Sequence, residues 1–320
     1  MRDSLGRVID YMRISITDRC NLRCRYCMPH DLPFLTHDDI LRYEEILRVC
    51  TAAGKLGIKT IRITGGEPLM RKGCVDFIRN LKSIPGIEHV TMSTNALLLE
   101  PYIDELVKLE LNGLNISLDS LNAETYRAIT GQDVFPQVWK SLHRAVAAGL
   151  QVKINCVPIR GRNEADILSM AQLAETMPVD VRFIELMPAA ENGSLAGIPS
   201  EDILATILTQ YPDLSPDSSV HGFGPAQYYK SEQLRGGIGF IHAISDHFCA
   251  SCNRLRLTSE GFLKLCLHHS DGLDLRAMLR SGASHTDIET AIAQAVYQKP
   301  EGHRFGESPI GIKKMSQIGG

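Results

Sequence analysis

The sequence contains no long run of apolar residues. Nowhere do about 18 apolar side chains follow one another, and the first residues, MRDSLGRVIDYMRIS, lack the uninterrupted apolar stretch of a signal peptide. We therefore expect a cytoplasmic protein without a membrane partner. In that compartment we expect the nine cysteines to be reduced thiols, with Cys50, Cys74 and Cys156 as small buried side chains in apolar segments.

The sequence also lacks an excess of charge of one sign. The 34 Lys and Arg residues stand against 37 Asp and Glu, which gives a formal net charge of −3. We therefore expect no overall basic surface and no nucleic acid partner. Any anion site must be local. A P-loop is absent as well, because Gly65 and Gly66 are not followed by its Lys-Ser/Thr pair. The TGGEP segment indicates either a plain tight turn or a close main-chain approach to a cofactor, with Glu67 fixing the turn.

No internal repeat or low-complexity tract interrupts the chain, whose 320 residues and 44% apolar content suffice for a large α/β domain and a smaller one. Helical periodicity predicts helices over 38–53, after a Thr36 cap, and over 101–111. Gly, Pro, Ser and Asp break the strand-helix rhythm in 188–199 and 211–227, so we place the domains at 1–215 and 216–320. Strand-like runs alternate with the helical segments at 11–17, 59–64, 89–94, 114–119, 152–157 and 181–186.

These six strand-helix units predict a parallel sheet, either open or curled, and are too few for the usual eight-unit closed barrel. Polar residues at alternate positions favour the curled form, an incomplete (β/α)6 barrel with a shared polar interior. For Asn115 or Asn155 taken singly, we expect an ordinary polar side chain whose hydrogen bonds are satisfied by a neighbour. Three inward cations together, Arg13, Arg62 and Lys153, call for an anionic ligand such as a polyphosphate. The inward sets are Arg13, Ser15 and Thr17; Arg62 and Thr64; Asn115, Ser117 and Asp119; Lys153 and Asn155.

A first cysteine set follows the first strand in ISITDRCNLRCRYCMP. Cys20, Cys24 and Cys27 would bring three thiolates together and leave one iron of a four-iron cluster without a protein ligand, open to a substrate or cofactor. The alternative is a structural zinc site, which needs a fourth ligand. The nearest histidine is His30, which follows Pro29 in a turn-like stretch.

A second cysteine set, Cys249, Cys252 and Cys266, lies in FCASCNRLRLTSEGFLKLC, around a hairpin-like stretch. It indicates either another cluster with an open iron or a zinc knuckle completed by a histidine. Arg254 and Arg256 stand at alternate positions just after Cys252, so both leave the hairpin on one face, as ligand contacts or as solvated surface residues. The candidate histidines are His242, His247, His268 and His269.

The first motif, with Tyr26 before its last cysteine, resembles the signature of radical S-adenosylmethionine enzymes. Further segments narrow the resemblance to the GTP 3′,8-cyclase (molybdenum cofactor biosynthesis protein A) family and extend it from residue 13 to the last residue. These segments are IRITGGEP, STN, SLDSL, ITGQD, RFIELM, FCASCNRLRL and the terminal Gly319-Gly320.

The resemblance implies two [4Fe-4S] clusters and S-adenosylmethionine. Cys20, Cys24 and Cys27 would hold the first cluster, and Cys249, Cys252 and Cys266 the auxiliary cluster, whose open iron takes the guanine base. The positions that match catalytic ones are Arg254, Arg256, Gly319 and Gly320; those that match cofactor contacts are Tyr26, Gly66, Ser117 and Met187; those that match GTP contacts are Arg13, Arg62, Ser93, Lys153, Arg254, Leu255 and Arg256.

Three details accompany these matches, at Ser93, at Arg182 and at the Gly-Gly tail. Ser93 stands where relatives often have threonine, so the hydroxyl is kept. Arg182, in RFIELM, is a further candidate to face the nucleotide. The Gly-Gly tail would enter the active site, whereas most chain ends are frayed and without a role.

The implied reaction abstracts the C3′ hydrogen of GTP and joins C3′ to guanine C8, giving (8S)-3′,8-cyclo-7,8-dihydroguanosine 5′-triphosphate. This lyase reaction is the first step of molybdenum cofactor biosynthesis. The partners implied are GTP, an external one-electron reductant and a downstream cyclic pyranopterin monophosphate synthase, with room for a homodimer. Competing interpretations are a radical enzyme that modifies peptides with an auxiliary cluster, a ferredoxin-like electron carrier and a zinc-stabilised binding protein.

Overall fold

The computed structural model describes residues 1–28, 34–187, 195–245 and 248–303, and the chain forms two compact units. The terminal unit consists of Met1–Asn21, His30–Met92 and Cys249–Gly320, so it contains both ends of the chain. The middle unit consists of Leu22–Pro29 and Ser93–Phe248. The division differs from the predicted boundary at residue 215, which stays a prediction.

Strands and helices alternate through most of the chain. The strands are β1 Tyr11–Ser15, β2 Thr60–Thr64, β3 His89–Thr94, β4 Leu114–Ser117, β5 Val152–Cys156, β6 Asp180–Ile184, β7 Ser215–Asp217, β8 Gln227–Lys230, β9 Ile238–Ile241, β10 Arg254–Leu257, β11 Phe262–Lys264 and β12 Gly272–Asp274. The α-helices are α1 Tyr43–Lys55, α2 Cys74–Lys82, α3 Ile103–Lys108, α4 Ala123–Thr130, α5 Phe135–Ala147, α6 Ile167–Ala171, α7 Leu173–Thr176, α8 Ser200–Leu208, α9 Leu275–Arg280 and α10 His285–Tyr297.

In the terminal unit, β1 lies between two parallel neighbours, β2 and β10. On the far side of β2 comes β3, also parallel, and β10 continues into the antiparallel strands β11 and β12. Alternation along the strands buries Ile14, Ile61 and Leu255 on the apolar face. Helices α2, α9 and α10 contact α1 in this unit, and Val49 and Ile292 are buried in these helices.

In the middle unit, β4, β5, β6 and β9 run parallel in that order, and β8 and β7 complete the sheet in antiparallel fashion. The apolar face again comes from alternate residues: Ile116, Ile154 and Phe183 are fully buried. The Phe183 and Phe240 rings lie 6.0 Å apart on the adjacent strands β6 and β9.

The six strands predicted from the sequence are confirmed, and Cys50, Cys74 and Cys156 are buried as expected. Two further strands, β9 and β10, extend the parallel pairing and were not foreseen as neighbours of β6 and β1. No helix in the described ranges is long and apolar enough to cross a membrane.

The predicted start of the first helix is wrong. Helix α1 begins at Tyr43, and Glu45 accepts a hydrogen bond from the Arg42 main-chain N–H at 2.7 Å. The carbonyl oxygens before it are occupied otherwise, because Arg276 and Arg280 donate to the carbonyls of residues 38–40. The Thr36 hydroxyl donates to Asp39 within the preceding turn instead of capping the helix.

Candidate active site

The terminal unit places a row of arginines on the polar face of its sheet. Arg13 on β1 has Arg62 of β2 as its partner on one side and Arg256 of β10 on the other. Thr91 of β3 follows next to Arg62, and the Arg62 Nε donates to the Thr91 hydroxyl at 3.3 Å. The register therefore confirms that Arg13 and Arg62 share one face of the sheet in this unit, as do Arg254 and Arg256.

The ring of Tyr11 lies close to two of the arginines, Arg62 and Arg254. It pairs with Arg254 in the parallel ladder, and the guanidinium carbons of Arg62 and Arg254 lie 5.6 and 5.7 Å from the centre of its ring. A ring face attracts a cation, so Tyr11 partly compensates two of the charges. Leu255, between the two arginines of β10, has its side chain buried on the opposite face and has only its main chain to offer a ligand.

The arginine row is electrostatically strained without an anion. Burial lowers the pKa of Arg13 well below its usual value, and the nearby charges of Arg256, Arg62 and Arg254 lower it further. Burial and the charge of Arg254 lower the pKa of Arg256 to about 10. Among the described residues, Arg13 Nε has no hydrogen-bond partner. A crowded row of partly buried cations is the arrangement that a polyphosphate site provides.

The middle unit has a polar face of its own. Register places Ser117 beside Asn155 and Asn155 beside Arg182, towards the carboxyl ends of β4 and β5 and in the middle of β6. Arg182 is buried and donates to the side-chain oxygen of Asn115. Asn155 Oδ1 and Ser93 Oγ are buried oxygens of this unit that have no hydrogen-bond partner in the described part of the chain. Both atoms are available for hydrogen bonds to a bound polar ligand.

Lys153 lies in an ordered network in the middle unit. Its Nζ is 2.8 Å from Asp180 Oδ2 and 3.3 Å from the Tyr228 hydroxyl. His221 lies between Asp180 and Asp217, with its ring nitrogens 3.1 and 3.0 Å from their carboxylate oxygens. The rings of His221 and Tyr228 stack at 3.9 Å.

Sequence reasoning did not single out Asp180, His221 or Tyr228. Two of them lie in or directly after the Gly/Pro-rich segment that we interpreted as a domain break. Gly222 in that segment faces the ammonium of Lys153: a Cβ there would lie 3.3 Å from Nζ. Its φ of +132° is a conformation that favours glycine. Gly222 lies near Lys153 only in the folded chain, so the sequence contains no direct signal of this network.

The loop of Cys24 and Cys27 is held by the end of α4. Arg23 and Arg25 donate main-chain hydrogen bonds to the carbonyls of Thr130 and Ile129, at 2.9 and 3.1 Å. The ITGQD segment, which begins at Ile129, thus supports the cysteine loop. Cys27 and Met28 donate to the Cys24 carbonyl, so the two cysteines share one turn.

Tyr26 projects from this turn onto Asp119, its hydroxyl donating to Oδ2 at 2.8 Å. Burial, followed by the neighbouring Asp119 and the thiols of Cys24 and Cys27, raises the pKa of Tyr26 well above its usual value. Burial likewise raises the pKa of Asp119 to about 6, although the Val157 N–H and the Tyr26 hydroxyl both donate to its carboxylate.

The TGGEP turn approaches the main chain that leads to Cys20. Gly66 donates to the Thr17 carbonyl at 2.7 Å and Glu67 to the Arg19 carbonyl at 2.8 Å. A Cβ on Gly66 would lie less than 3.0 Å from the Arg19 carbonyl, so only glycine fits. Glu67 fixes the turn as predicted, accepting from the Leu69 N–H. The close contact seen here is with the protein's own main chain; a role of Gly66 toward a cofactor stays a prediction.

The second cysteine set lies in an electropositive setting in the terminal unit. The Cys252 N–H donates to the Cys249 carbonyl at 3.2 Å, so these two share a turn. Burial raises the pKa of Cys252, but Lys299, the Arg254 N–H and the charges of Arg254 and Arg7 outweigh it and hold that pKa below the usual value. Burial, together with Cys266 and Cys252, raises the pKa of Cys249. The three thiols thus influence one another, and cations favour the thiolate form that metal binding needs.

The described residues do not support the zinc alternative. Within the described ranges, no three His, Cys, Asp or Glu side chains are placed to hold one metal ion. His269 Nε2 lies 2.9 Å from the Gly302 carbonyl, and His242 Nδ1 lies 4.0 Å from a Glu185 oxygen. His30, His247, Gly319 and Gly320 lie outside the described residues. Met187, which follows β6, is described and half-buried.

Comparison with known sequence families gives two matches along the chain. The Radical SAM superfamily matches residues 14–174, and Molybdenum Cofactor Synthesis C matches residues 179–305. Proteins named GTP 3′,8-cyclase are similar over their full length and that of this chain. The one from Moorella thermoacetica is 45% identical, that from Pelotomaculum thermopropionicum 43% and that from Clostridium perfringens (strain SM101 / Type A) 42%.

Solved structures agree on the fold. Streptococcus suis SuiB bound to S-adenosylmethionine has a TM-score of 0.68 over 97% of this chain and 72% of its own, at 13% identity. The HydG maturase from Carboxydothermus hydrogenoformans has a TM-score of 0.51 over 63% of this chain and 52% of its own, at 20% identity. The predicted class, an incomplete α/β barrel of the radical SAM type with a smaller C-terminal domain, is confirmed. The chain belongs to the GTP 3′,8-cyclase family of radical S-adenosylmethionine enzymes.

Proposed function

We propose that this protein is a radical S-adenosylmethionine lyase that converts GTP to (8S)-3′,8-cyclo-7,8-dihydroguanosine 5′-triphosphate, the first step of molybdenum cofactor biosynthesis. One observation carries the proposal. Strand β10 begins two residues after Cys252 and places Arg254 and Arg256 in register with Tyr11 and Arg13. The hairpin that carries the second cysteine set therefore also carries two of the arginines and adjoins the other two across β1 and β2. This arrangement suits a ligand with a polyphosphate at one end and a metal-binding base at the other.

The residues present fit the cofactors of this family. Three thiols in an electropositive setting suit an anionic [4Fe-4S] cluster at the second set, and the Cys24–Cys27 turn with Tyr26 suits the first. When bound, the first cluster and S-adenosylmethionine supply a 5′-deoxyadenosyl radical that can take a hydrogen from the GTP ribose. Tyr26, Gly66, Ser117 and Met187 would hold S-adenosylmethionine, and the unsatisfied Asn155 Oδ1 beside Ser117 supports a polar ligand there.

The cations would bind and orient the nucleotide. Arg13, Arg62 and Arg256 relieve their mutual repulsion when phosphate oxygens accept their hydrogen bonds. Lys153 and Ser93 would add contacts in the middle unit. Because these groups are fixed by strand register and packing, they would hold the ribose and base with little loss of freedom on binding.

Further parts of the proposal concern the chain end and the partners. Gly319 and Gly320 would enter the site, and their deletion is expected to lower turnover while both clusters still assemble. An external one-electron reductant, hand-off to cyclic pyranopterin monophosphate synthase, a homodimer and a cytoplasmic location stay predictions. The same holds for the boundary near residue 215.

The test is anaerobic incubation of the reconstituted full chain with GTP, S-adenosylmethionine and a strong reductant, followed by chromatography and mass analysis. The cyclised product is an isomer of GTP, so we expect an unchanged mass with a new retention time and an equal amount of 5′-deoxyadenosine. ATP in place of GTP is the control. Cleavage of S-adenosylmethionine with GTP left intact would contradict the proposal and favour the peptide-modifying alternative.

A further inference from the structure

Lys299 is a buried cation that the proposed reaction does not use. It follows α10, is 3% exposed and extends its ammonium to the second cysteine set. Nζ donates to the Arg254 carbonyl at 2.9 Å, to the Leu265 carbonyl and to the Cys252 thiol. An ammonium has three N–H donors, so these contacts use all of them.

The ammonium of Lys299 is surrounded by main-chain carbonyls and thiols. In the described ranges no ion pair joins Lys299 to an acidic side chain, although burying an unpaired ammonium is costly. The groups able to balance it are the thiols of Cys252 and Cys266, once they carry negative charge. Leu265 directly precedes Cys266, and Arg254 follows Cys252 by two residues. Lys299 therefore connects the two halves of the hairpin at the points where its cysteines are attached.

Arg7 fixes the segment that carries Lys299. Its guanidinium donates to the carbonyls of Lys299, Pro300 and Glu301 at 3.3, 2.7 and 2.8 Å, and to the Cys249 carbonyl at 2.9 Å. Asp3 completes the arrangement through an ion pair with Nε at 2.6 Å, in which both side chains are buried. One arginine of the N-terminal segment thus joins the C-terminal segment to the cysteine loop.

The rest of that segment packs directly on the first cysteine of the set. A Cβ on Gly302 would lie 3.4 Å from the Cys249 Cβ and 3.5 Å from its sulfur, and the His303 N–H donates to the same thiol. The segment 299–303 therefore contacts the surroundings of all three cysteines. Gly302 and His303 contact Cys249, and Lys299 contacts Cys252. Lys299 also holds the carbonyl of Leu265, the residue before Cys266.

We propose that Lys299 and Arg7 are positioning residues for the second cluster, with different contributions. Lys299 places a positive charge beside the thiolates, which favours the more negative reduced state and so raises the reduction potential of the cluster. Arg7 fixes the loop geometry through its several donors and so slows the loss of iron. The proposal depends on the second cluster of the proposed function, but not on GTP as the substrate.

Two variants of the full chain separate these contributions. Lys299→Gln removes the charge and keeps a polar side chain of similar reach, whereas Arg7→Lys keeps the charge and removes the fork of donors. Both are made in a background with Cys20, Cys24 and Cys27 changed to Ala, so that only the second cluster contributes. Lys55→Gln and Arg79→Lys, at exposed ion pairs of the terminal unit, are the matched controls.

The readouts are the midpoint potential, from a spectroscopically monitored redox titration, and the rate of iron release to a chelator. We expect Lys299→Gln to lower the potential, and Arg7→Lys to release iron severalfold faster at a potential close to that of the parent. Should Lys299→Gln fail to keep a cluster that the parent and the controls keep, positioning is supported directly.

A parent-like potential in Lys299→Gln together with parent-like iron release in Arg7→Lys would overturn the proposal. A parent chain that assembles no second cluster would instead refute the proposed function on which this inference rests. The two failures are therefore told apart by the iron content of the parent alone.

Discussion

The arginine row of the terminal unit and Lys153 of the middle unit are partly buried cations in contrasting surroundings. In the terminal unit, Arg13, Arg62 and Arg256 occupy neighbouring positions of three strands, and the charges of Arg62 and Arg256 lower the pKa of Arg13 beyond the effect of burial. In the middle unit, Lys153 is paired with Asp180, which also contacts His221. The first arrangement stores repulsion that an anionic ligand would relieve; the second is balanced before any ligand arrives. Unfavourable electrostatics in the apo protein is thus the stronger pointer to a polyphosphate.

The largest effect is expected where a glycine packs against main chain, at Gly66 of the terminal unit, compared with Gly239 of the middle unit, which packs against side chains. Gly66→Ala puts a methyl group against the Arg19 carbonyl, whereas Gly239→Ala meets the side chains of Arg182 and Tyr228, which can move. We expect Gly66→Ala to cost about 3 kcal/mol or more and Gly239→Ala about 1–2 kcal/mol. Denaturant unfolding measures both. Gly66→Ala should also lose about half of the iron, since the loop to Cys20 is displaced and only the second of two clusters remains. Equal costs for the two variants would remove this contrast.

Arg256→Met tests the stored repulsion. Losing charged hydrogen bonds to phosphate is worth about 1.5–3 kcal/mol, so GTP affinity should fall about tenfold to a hundredfold. The same change should raise the melting temperature without GTP, because a like charge is removed beside Arg13. Calorimetric GTP binding and thermal unfolding check the two parts, with the exposed Arg79→Met as the control. A lower melting temperature without GTP would show that the row is compensated in the apo protein.

Asp180→Asn tests the balanced network and should act in the opposite direction. It leaves Lys153 and His221 without their shared carboxylate, so the apo protein should lose about 1–2 kcal/mol of unfolding free energy. GTP affinity should fall only severalfold, because Tyr228 still holds the ammonium. Asp76→Asn, at an exposed pair, serves as the control and should change little. If Asp180→Asn stabilised the protein in the absence of GTP, the proposed contrast between the two units would be wrong.

The smallest effect concerns Asp119 of the middle unit. Burial and hydrogen bonds from Val157 and Tyr26, not a neighbouring cation, are the main causes of its pKa shift. Burial raises its pKa to about 6, so between its unfolded pKa and that value the folded state holds more protons than the unfolded state. Its contribution to stability therefore decreases as the pH rises through this window, by about 1 kcal/mol between about pH 5 and about pH 6. Asp119→Asn should abolish this part of the slope. Unfolding free energies of both proteins across the window give the difference, and parallel curves would count against the raised pKa.

The sequence was most informative where period two and local motifs decide the outcome. All six central strands and the shared face of Arg254 and Arg256 follow from alternation along a strand. Alternation does not tell which strand lies next to which. The parallel neighbours of β1 and β6 come from β10 and β9, far along the chain, and hydrophobic pattern contains no such information.

The partners of the cations were missed for the same reason. Asp180 lies one strand away from Lys153, and Tyr228 comes from an antiparallel strand after a segment that looked like a linker. Arg7 and Lys299 lie near opposite ends of the chain, and their interactions are mainly with main-chain carbonyls, which any residue offers. Side-chain chemistry can be recognised in a sequence, but acceptors supplied by the main chain cannot.

The place of β1 between β2 and β10 has a consequence for how the protein is made. The first strand leaves the ribosome early, yet one of its two parallel neighbours begins only at residue 254. The middle unit, apart from its short segment Leu22–Pro29, is continuous from Ser93 to Phe248 and can fold while synthesis is still in progress. Completion of the terminal unit must wait for nearly the whole chain, with one edge of β1 exposed to unwanted pairing meanwhile. Metal loading at the second cysteine set is therefore among the last events in the maturation of this protein.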